Sequence, residues 1–236
     1  GSMDIIADDI VEENDEVREV FGKNIFSNRQ LSFAPSANLP TPVNYRLGPG
    51  DEVIIDIWGT NQATIRQTIS PEGYINIADI GLINLNGMTV KEADSYMRRK
   101  LGQIYAVDGE DASSEIKLTL GNIRTIQVNV MGEVKVPGTY AMSSFSNMLH
   151  AIYRAGGVNE LGTLREIKLF RNGKLKASAD LYEFMMDGNA PDEITLEEGD
   201  LIIVSPYKNL VDIDGSVKRP MAYELKEGET VRDLLD

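Results

Sequence analysis

Short stretches of strict alternation between apolar and polar residues dominate this chain. Val53, Ile55 and Ile57 share one face of the segment 52–58, the period-two signature of a half-buried strand. Residues 64–69 and 74–77 alternate in the same way, and Ser70-Pro71-Glu72-Gly73 supplies a turn between them. Ile116, Leu118 and Leu120 resume the pattern, followed by Ile126, Val128 and Val130. Residues 167–175 read as a hairpin that reverses at Asn172-Gly173, a strong short-range hairpin signal. Leu201-Ile202-Ile203-Val204 has the continuous apolar character of a fully buried strand.

Two stretches carry the helical period instead. Thr89-Val90-Lys91-Glu92 is a capping-box pattern, with an acid three residues after the hydroxyl. Val90, Ala93, Met97 and Leu101 then form one apolar stripe, and Gly102 is the expected stop. A second helix is predicted from Asn147 through Met148, Ile152 and Ala155 to Gly156-Gly157, with Ser143, Ser144 and Ser146 as neighbouring cap candidates. Upstream, Ile6, Ile10, Val17 and Val20 recur at helical spacing within an acidic leader. Phe21, Phe26, Leu31 and Phe33 follow it, ending at Pro35, Pro40 and Pro42. The leader reads either as a flexible lead-in or as an arm whose aromatics anchor on a neighbouring domain or subunit.

Self-similarity decides the architecture. Val128-Asn129-Val130-Met131-Gly132-Glu133-Val134-Lys135-Val136-Pro137 recurs as Val211-Asp212-Ile213-Asp214-Gly215-Ser216-Val217-Lys218-Arg219-Pro220, without a gap. The same offset matches Tyr140 with Tyr223, Asn147 with Thr230, Met148 with Val231 and His150 with Asp233. Each copy reads strand, glycine turn, strand, helix, and the second reaches Asp236 inside its helix. Strand segments at 211–225, lacking the remainder of a module, are expected to be unordered or paired with another molecule's edge. A weaker echo relates Leu47-Gly48-Pro49-Gly50-Asp51 to Leu196-Glu197-Glu198-Gly199-Asp200, each launching a buried strand.

Composition narrows the function. The chain has 236 residues, 42% of them hydrophobic and 25% charged, with a formal net charge of −14. So acidic a surface repels phosphate backbones and argues against nucleic-acid binding. There is no cysteine, so thiolate catalysis, disulfides and Cys-ligated metals are excluded. No apolar run is long enough to span a bilayer. Gly1-Ser2-Met3 reads as an expression-vector remnant and is set aside.

Catalytic chemistry has few anchors. His150 is the sole histidine, so a Ser-His-Asp arrangement has one conceivable centre, and a surface or packing role in its helix fits better. Carboxylate pairs such as Asp51/Glu52, Asp192/Glu193 and Glu197/Glu198 sit in turns where solvated acids are common. Asp212-Ile213-Asp214-Gly215 begins like a calcium loop but has Tyr223 where the closing glutamate belongs. The acidic stretch from Asp108 to Glu115 reads as a solvated loop, and Trp58, Tyr74, Tyr105, Tyr140 and Tyr153 as core or interface aromatics. No catalytic residue, cofactor site or metal site is assigned, and no ligand-binding residues are assigned.

Taken together, Tyr45-Arg46-Leu47-Gly48-Pro49-Gly50-Asp51-Glu52-Val53, Ser70-Pro71-Glu72-Gly73 and Asn86-Gly87-Met88-Thr89-Val90-Lys91-Glu92-Ala93 resemble the N-terminal domain of bacterial outer-membrane polysaccharide export proteins. The repeated Gly132, Pro137, Gly138, Tyr140 pattern, with Gly156-Gly157 and Gly199-Asp200, resembles their soluble-ligand-binding β-grasp domains. The resemblance implies an α+β protein: a leader or arm over 1–42, a β-rich export domain over 43–123, a complete β-grasp domain over 124–206 and the opening of another over 207–236. Its structural motif residues would be Gly50, Asp51, Pro71, Gly73, Gly132, Pro137, Gly138, Tyr140, Gly156, Gly157, Gly199, Asp200, Gly215 and Pro220. It further implies a non-enzymatic ring of subunits at the periplasmic face of the outer membrane, held there by a lipid or membrane anchor, with no cofactor. The implied partners are a capsular or exopolysaccharide chain in transit, further copies of the protein and an inner-membrane co-polymerase. The alternative is a β-grasp module that binds carbohydrate or a regulatory ligand without a transport role.

Overall fold

The computed structural model describes residues 19–26, 41–59, 62–78, 80–105, 114–187 and 194–235. In the first unit, β1 (Glu52–Gly59) buries Val53, Ile55 and Ile57 on one face, as their alternation requires. β2 (Ala63–Thr68) follows, and then a two-stranded ribbon of β3 (Tyr74–Ile77) and β4 (Gly81–Asn84). Helix α1 (Val90–Tyr105) and β5 (Ser114–Leu120) complete the unit. The sheet order is β2-β1-β5, antiparallel throughout. Ala93, Met97 and Leu101 of α1 close the core over Ile116 and Leu118.

The capping box of α1 is present: Thr89 N–H donates to Glu92 Oε2 at 2.8 Å, and Glu92 N–H to Thr89 Oγ1 at 3.2 Å. Gly102 does not stop the helix, which runs on to Tyr105. One interior glycine costs only about 1 kcal/mol, less than the apolar stripe ending in Leu101 returns on burial.

The second unit is a mixed five-stranded sheet. Its elements are β6 (Thr125–Gly132), β7 (Gly138–Ser143), α2 (Met148–Arg154), β8 (Gly162–Arg171), β9 (Lys174–Ala179), α3 (Leu181–Asp187) and β10 (Leu201–Pro206). The order is β7-β6-β10-β8-β9, with β6 and β10 parallel in the middle. This is a β-grasp arrangement, and the protein is α+β. Asn172 and Gly173 both adopt positive φ, 52° and 73°, in the two-residue turn between β8 and β9. At Gly132, φ is +85° and a Cβ would lie 2.1 Å from the Val204 carbonyl oxygen, so only glycine lets β6 meet the end of β10.

The third element set repeats the opening of the second. β11 (Asn209–Ile213), β12 (Met221–Leu225) and α4 (Val231–Leu235) follow the order of β6, β7 and α2. Their pairing register is conserved under the sequence offset: Val128 faces Tyr140, and Val211 faces Tyr223. Tyr140 donates its hydroxyl to the Val136 carbonyl, and Tyr223 donates to Arg219 in the same way.

The segment 211–225 is therefore ordered, and its partner comes from its own chain. Val20 pairs in parallel with Ala222, through Phe21 N–H to Ala222 O at 2.8 Å and Ala222 N–H to Glu19 O at 3.1 Å. Val20 is thus extended rather than helical, because the β12 edge offers it backbone partners. The rest of the helix expected over 6–20 lies outside the described residues. Phe21 stacks on Tyr223 and meets Tyr182 edge-on, both at 5.1 Å between centroids. Phe26 is buried among the β-grasp core residues, and Phe21 packs against the same cluster. Leu31 and Phe33 lie outside the described residues.

Candidate functional site

The best-defined polar constellation sits where the first unit meets the second. Asp51, at the start of β1, is fully buried. Its Oδ2 accepts from Gly48 N–H at 2.9 Å and from Arg124 Nη1 at 2.6 Å. Its Oδ1 accepts from the Tyr45 hydroxyl at 2.7 Å and from Arg124 N–H at 2.9 Å. Four donors occupy the roughly four lone-pair positions of a carboxylate, which leaves none to take a proton from a substrate. The Tyr45 oxygen also lies 2.8 Å from Ser144 Oγ, and its ring meets Phe145 edge-on at 4.8 Å. Burial pushes the Tyr45 hydroxyl far above its ordinary pKa. Residues from both sides of the junction thus converge on one buried acid.

The sequence echo at Gly199-Asp200 repeats this construction. Asp200 is fully buried, and its Oδ2 accepts from Glu197 N–H at 2.9 Å, as Asp51 accepts from Gly48. Arg171 grips it with two bonds, Nε to Oδ1 and Nη2 to Oδ2, each 2.8 Å. Gly50 N–H donates to Ile69 O and Gly199 N–H to Gln127 O, both at 2.9 Å. Leu47 and Leu196 are buried at matching positions. The difference lies in the arginine. Arg171 belongs to the same sheet as its acid, whereas Arg124 lies between the export-type unit and the β-grasp unit.

A third polar cluster joins the β-grasp unit to the repeat hairpin. Glu224 of β12 is buried and accepts from the Thr163 hydroxyl and from Leu164 N–H. Burial raises its pKa, opposed by those two hydrogen bonds and by Lys23 and Arg165. Glu224 N–H in turn donates to the Tyr182 hydroxyl at 2.9 Å, and burial pushes that hydroxyl up to about 12. Arg165 bridges Asp180 at 3.3 Å and Glu229 at 2.5 Å. Lys23, on the arm, donates to the carbonyls of Asn159, Glu160 and Gly162, and burial lowers its pKa to about 8. A cleft of about 350 Å³ opens here, lined by Thr163, Arg165, Lys208, Glu224 and Lys226 among others. Lys208 pairs with Glu227 and Lys226 with Asp180, so each of its cations is already neutralised.

His150 occupies a helix cap. Its N–H donates to Asn147 Oδ1 and its Nδ1 accepts from Asn147 N–H, both at 3.1 Å, completing a reciprocal box at the start of α2. Burial lowers its pKa, which suits a ring nitrogen that must stay unprotonated to accept. Asp233, its counterpart in the repeat, caps α4 by accepting from Thr230 N–H at 2.7 Å. The other motif residues form turns and strand starts. Pro71 and Gly73 make the turn before β3, Pro137 and Gly138 open β7, and Pro220 immediately precedes β12. Gly156-Gly157 follow α2, and Gly215 lies in the bend after β11. Most of the acidic loop from Asp108 lies outside the described residues.

The arginines were not legible as partners, since Arg124 and Asp51 are 73 positions apart. The signal that could have found them is the echo itself, because a buried Gly-Asp acid demands a cation.

Three family models match in the order of these units. Residues 39–110 match the polysaccharide biosynthesis/export protein model, and residues 126–204 and 210–236 match two SLBB domain models. The chain is related to the polysaccharide export proteins. Among relatives of the chain is the polysialic acid transport protein KpsD of Escherichia coli, 24% identical over 209 residues. That alignment covers 88% of this chain and 36% of KpsD. The EPS I polysaccharide export outer membrane protein EpsA of Ralstonia nicotianae is 26% identical over 220 residues, covering 82% of this chain and 55% of EpsA. The chain thus spans about a third of KpsD and about half of EpsA.

Proposed function

We propose that this chain is the periplasmic structural part of an outer-membrane conduit for capsular or exopolysaccharide. In this reading the domains run over 43–123, 124–206 and 207–236, and subunits pack laterally into a ring that meets an inner-membrane co-polymerase. The single observation that carries it is the serial joining of an export unit to two β-grasp copies through buried polar contacts, in a chain related to KpsD and EpsA. Such joints suit a wall that must keep its shape. The charged groups at these joints are consumed by neighbours, which favours scaffolding over catalysis. The net charge of −14 gives the wall a hydrated acidic surface with few adhesive contacts for a passing glycan.

The test is genetic and biochemical. Deleting the gene in its native host should abolish surface polysaccharide while polymer accumulates inside the envelope, and a plasmid copy should restore export. Unchanged surface polysaccharide in the deletion strain would refute the reading. Mass photometry of the full-length protein in detergent should show a closed oligomer.

A further inference from the structure

Trp58 is the only tryptophan of the chain, and its side chain is 47% exposed at the end of β1. Its neighbours on that strand, Val53, Ile55 and Ile57, point into the core. Trp58 belongs to the opposite row, with Asp56 and half-buried Ile54. The pairing register places Glu115 of β5 directly across from it and Lys117 across from Asp56. On the other side, Thr64 of β2 lies opposite Asp56 and donates its hydroxyl to Asp56 Oδ1 at 2.7 Å. Among the described residues, nothing accepts from the indole N–H and nothing pairs with the Glu115 carboxylate.

We propose that Trp58, with Glu115 and Asp56 at its rim, is a stacking platform for uncharged pyranose residues. The inference rests on the export reading for the presence of a glycan, and adds a contact point and a preference. An indole costs free energy when left in water. Among the described residues it stands alone: the cross-strand positions around it carry carboxylate, ammonium and hydroxyl groups rather than further apolar surface. Protein partners favour apolar patches wider than one ring. A pyranose fits instead, because one face carries C–H groups that can lie on a single aromatic ring while hydroxyls project from its edge. Those hydroxyls can donate to the unpaired Glu115 carboxylate and accept from the indole N–H. The charges set the selectivity: two acids beside the ring, on a chain of net charge −14, disfavour uronates and other anionic sugars.

Because Trp58 is the sole tryptophan, its emission reports the site. Titration with maltohexaose and with cellohexaose should give a saturable blue shift for at least one of them. Hexagalacturonate should bind about tenfold more weakly at low salt, with the gap narrowing as salt is added. By NMR, the Thr64 and Glu115 amide signals should move with the neutral sugar in the parent protein and stay fixed in Trp58→Ala. Glu115→Gln, a surface change that spares the fold, should weaken binding severalfold. An emission spectrum unmoved by either neutral sugar up to its solubility limit would overturn the proposal. So would sugar-induced shifts that persist in Trp58→Ala, or self-association that Trp58→Ala abolishes without any sugar effect. The two levels separate cleanly: a deletion strain that still displays polysaccharide defeats the export reading, whereas lost export with a silent Trp58 defeats only the platform.

Discussion

Arg124 Nη1 lies 2.6 Å from Oδ2 of Asp51, and that single ion pair spans the boundary between the export unit and the β-grasp unit. The guanidinium keeps partial solvent access while the carboxylate has none. The pair is therefore asymmetric, and its two members should respond differently to substitution.

Asp51→Ala should cost about 3–5 kcal/mol, the range for stranding one partner of a buried pair. It leaves Gly48 N–H and Arg124 N–H without their acceptor and strips the guanidinium of its counter-charge, leaving it only the Tyr45 oxygen and the Arg46 carbonyl. Arg124→Ala should cost less, because Tyr45 and two backbone N–H groups still satisfy the acid. Urea unfolding followed by Trp58 emission would rank the two. A larger loss for Arg124→Ala would show that the cation, rather than the acid, organises the joint.

His150 makes stability depend on pH. Burial holds its folded pKa below the ordinary histidine value of about 6.5, so the unfolded chain binds the proton more readily. Its contribution is then fully present above about pH 6.5 and is lost as pH falls through that value toward the lower folded one. Glutamine at this third helical position can complete the same box without titrating. His150→Gln should therefore keep neutral-pH stability and flatten the acidic slope, whereas His150→Ala should lose about 1 kcal/mol at neutral pH. Thermal melts from pH 5 to 8 would decide between these outcomes.

Phe21→Ala should release the arm without unfolding the β-grasp unit. The side chain is half-buried between Tyr182 and Tyr223, so the cost should be about 2 kcal/mol. Hydrogen exchange should accelerate at the amides of Phe21 and Ala222, which bond across the arm, while β6 and β10 remain protected.

Gly132→Ala should be among the most damaging single changes. The new methyl would press on a backbone carbonyl that cannot swing away, in a conformation already costly for any side chain. A loss of about 3 kcal/mol or more is expected by chemical denaturation. Gly215→Ala is the control. Nothing lies within 4 Å of its would-be Cβ, so only the φ of +93° penalises it.

Periodicity and repetition exposed most of the fold in advance. The Asn172-Gly173 hairpin, the alternating strands and the repeated opening of the β-grasp module are local patterns that sequence displays directly. Helix α3 escaped notice because it is one short turn-pair whose start depends on Asp180 accepting from Tyr182 N–H at 2.9 Å. Strand β4 was missed for a similar reason, since Gly81 and Asn84 bound only four residues. The joints were hidden for another reason. Asp51 with Arg124 and Glu224 with Thr163 are pairings over 73 and 61 positions, and no local period encodes them.

The bridge that sets Val20 beside Ala222 has a mechanical meaning. Two stretches some two hundred positions apart along the chain are stitched side by side, with a ring stacked beneath and a lysine pinned to three carbonyls nearby. Tension applied between the arm and α4 would load that short seam before it reached the central sheet. The seam would yield first and spare β6 and β10, like a tear-strip.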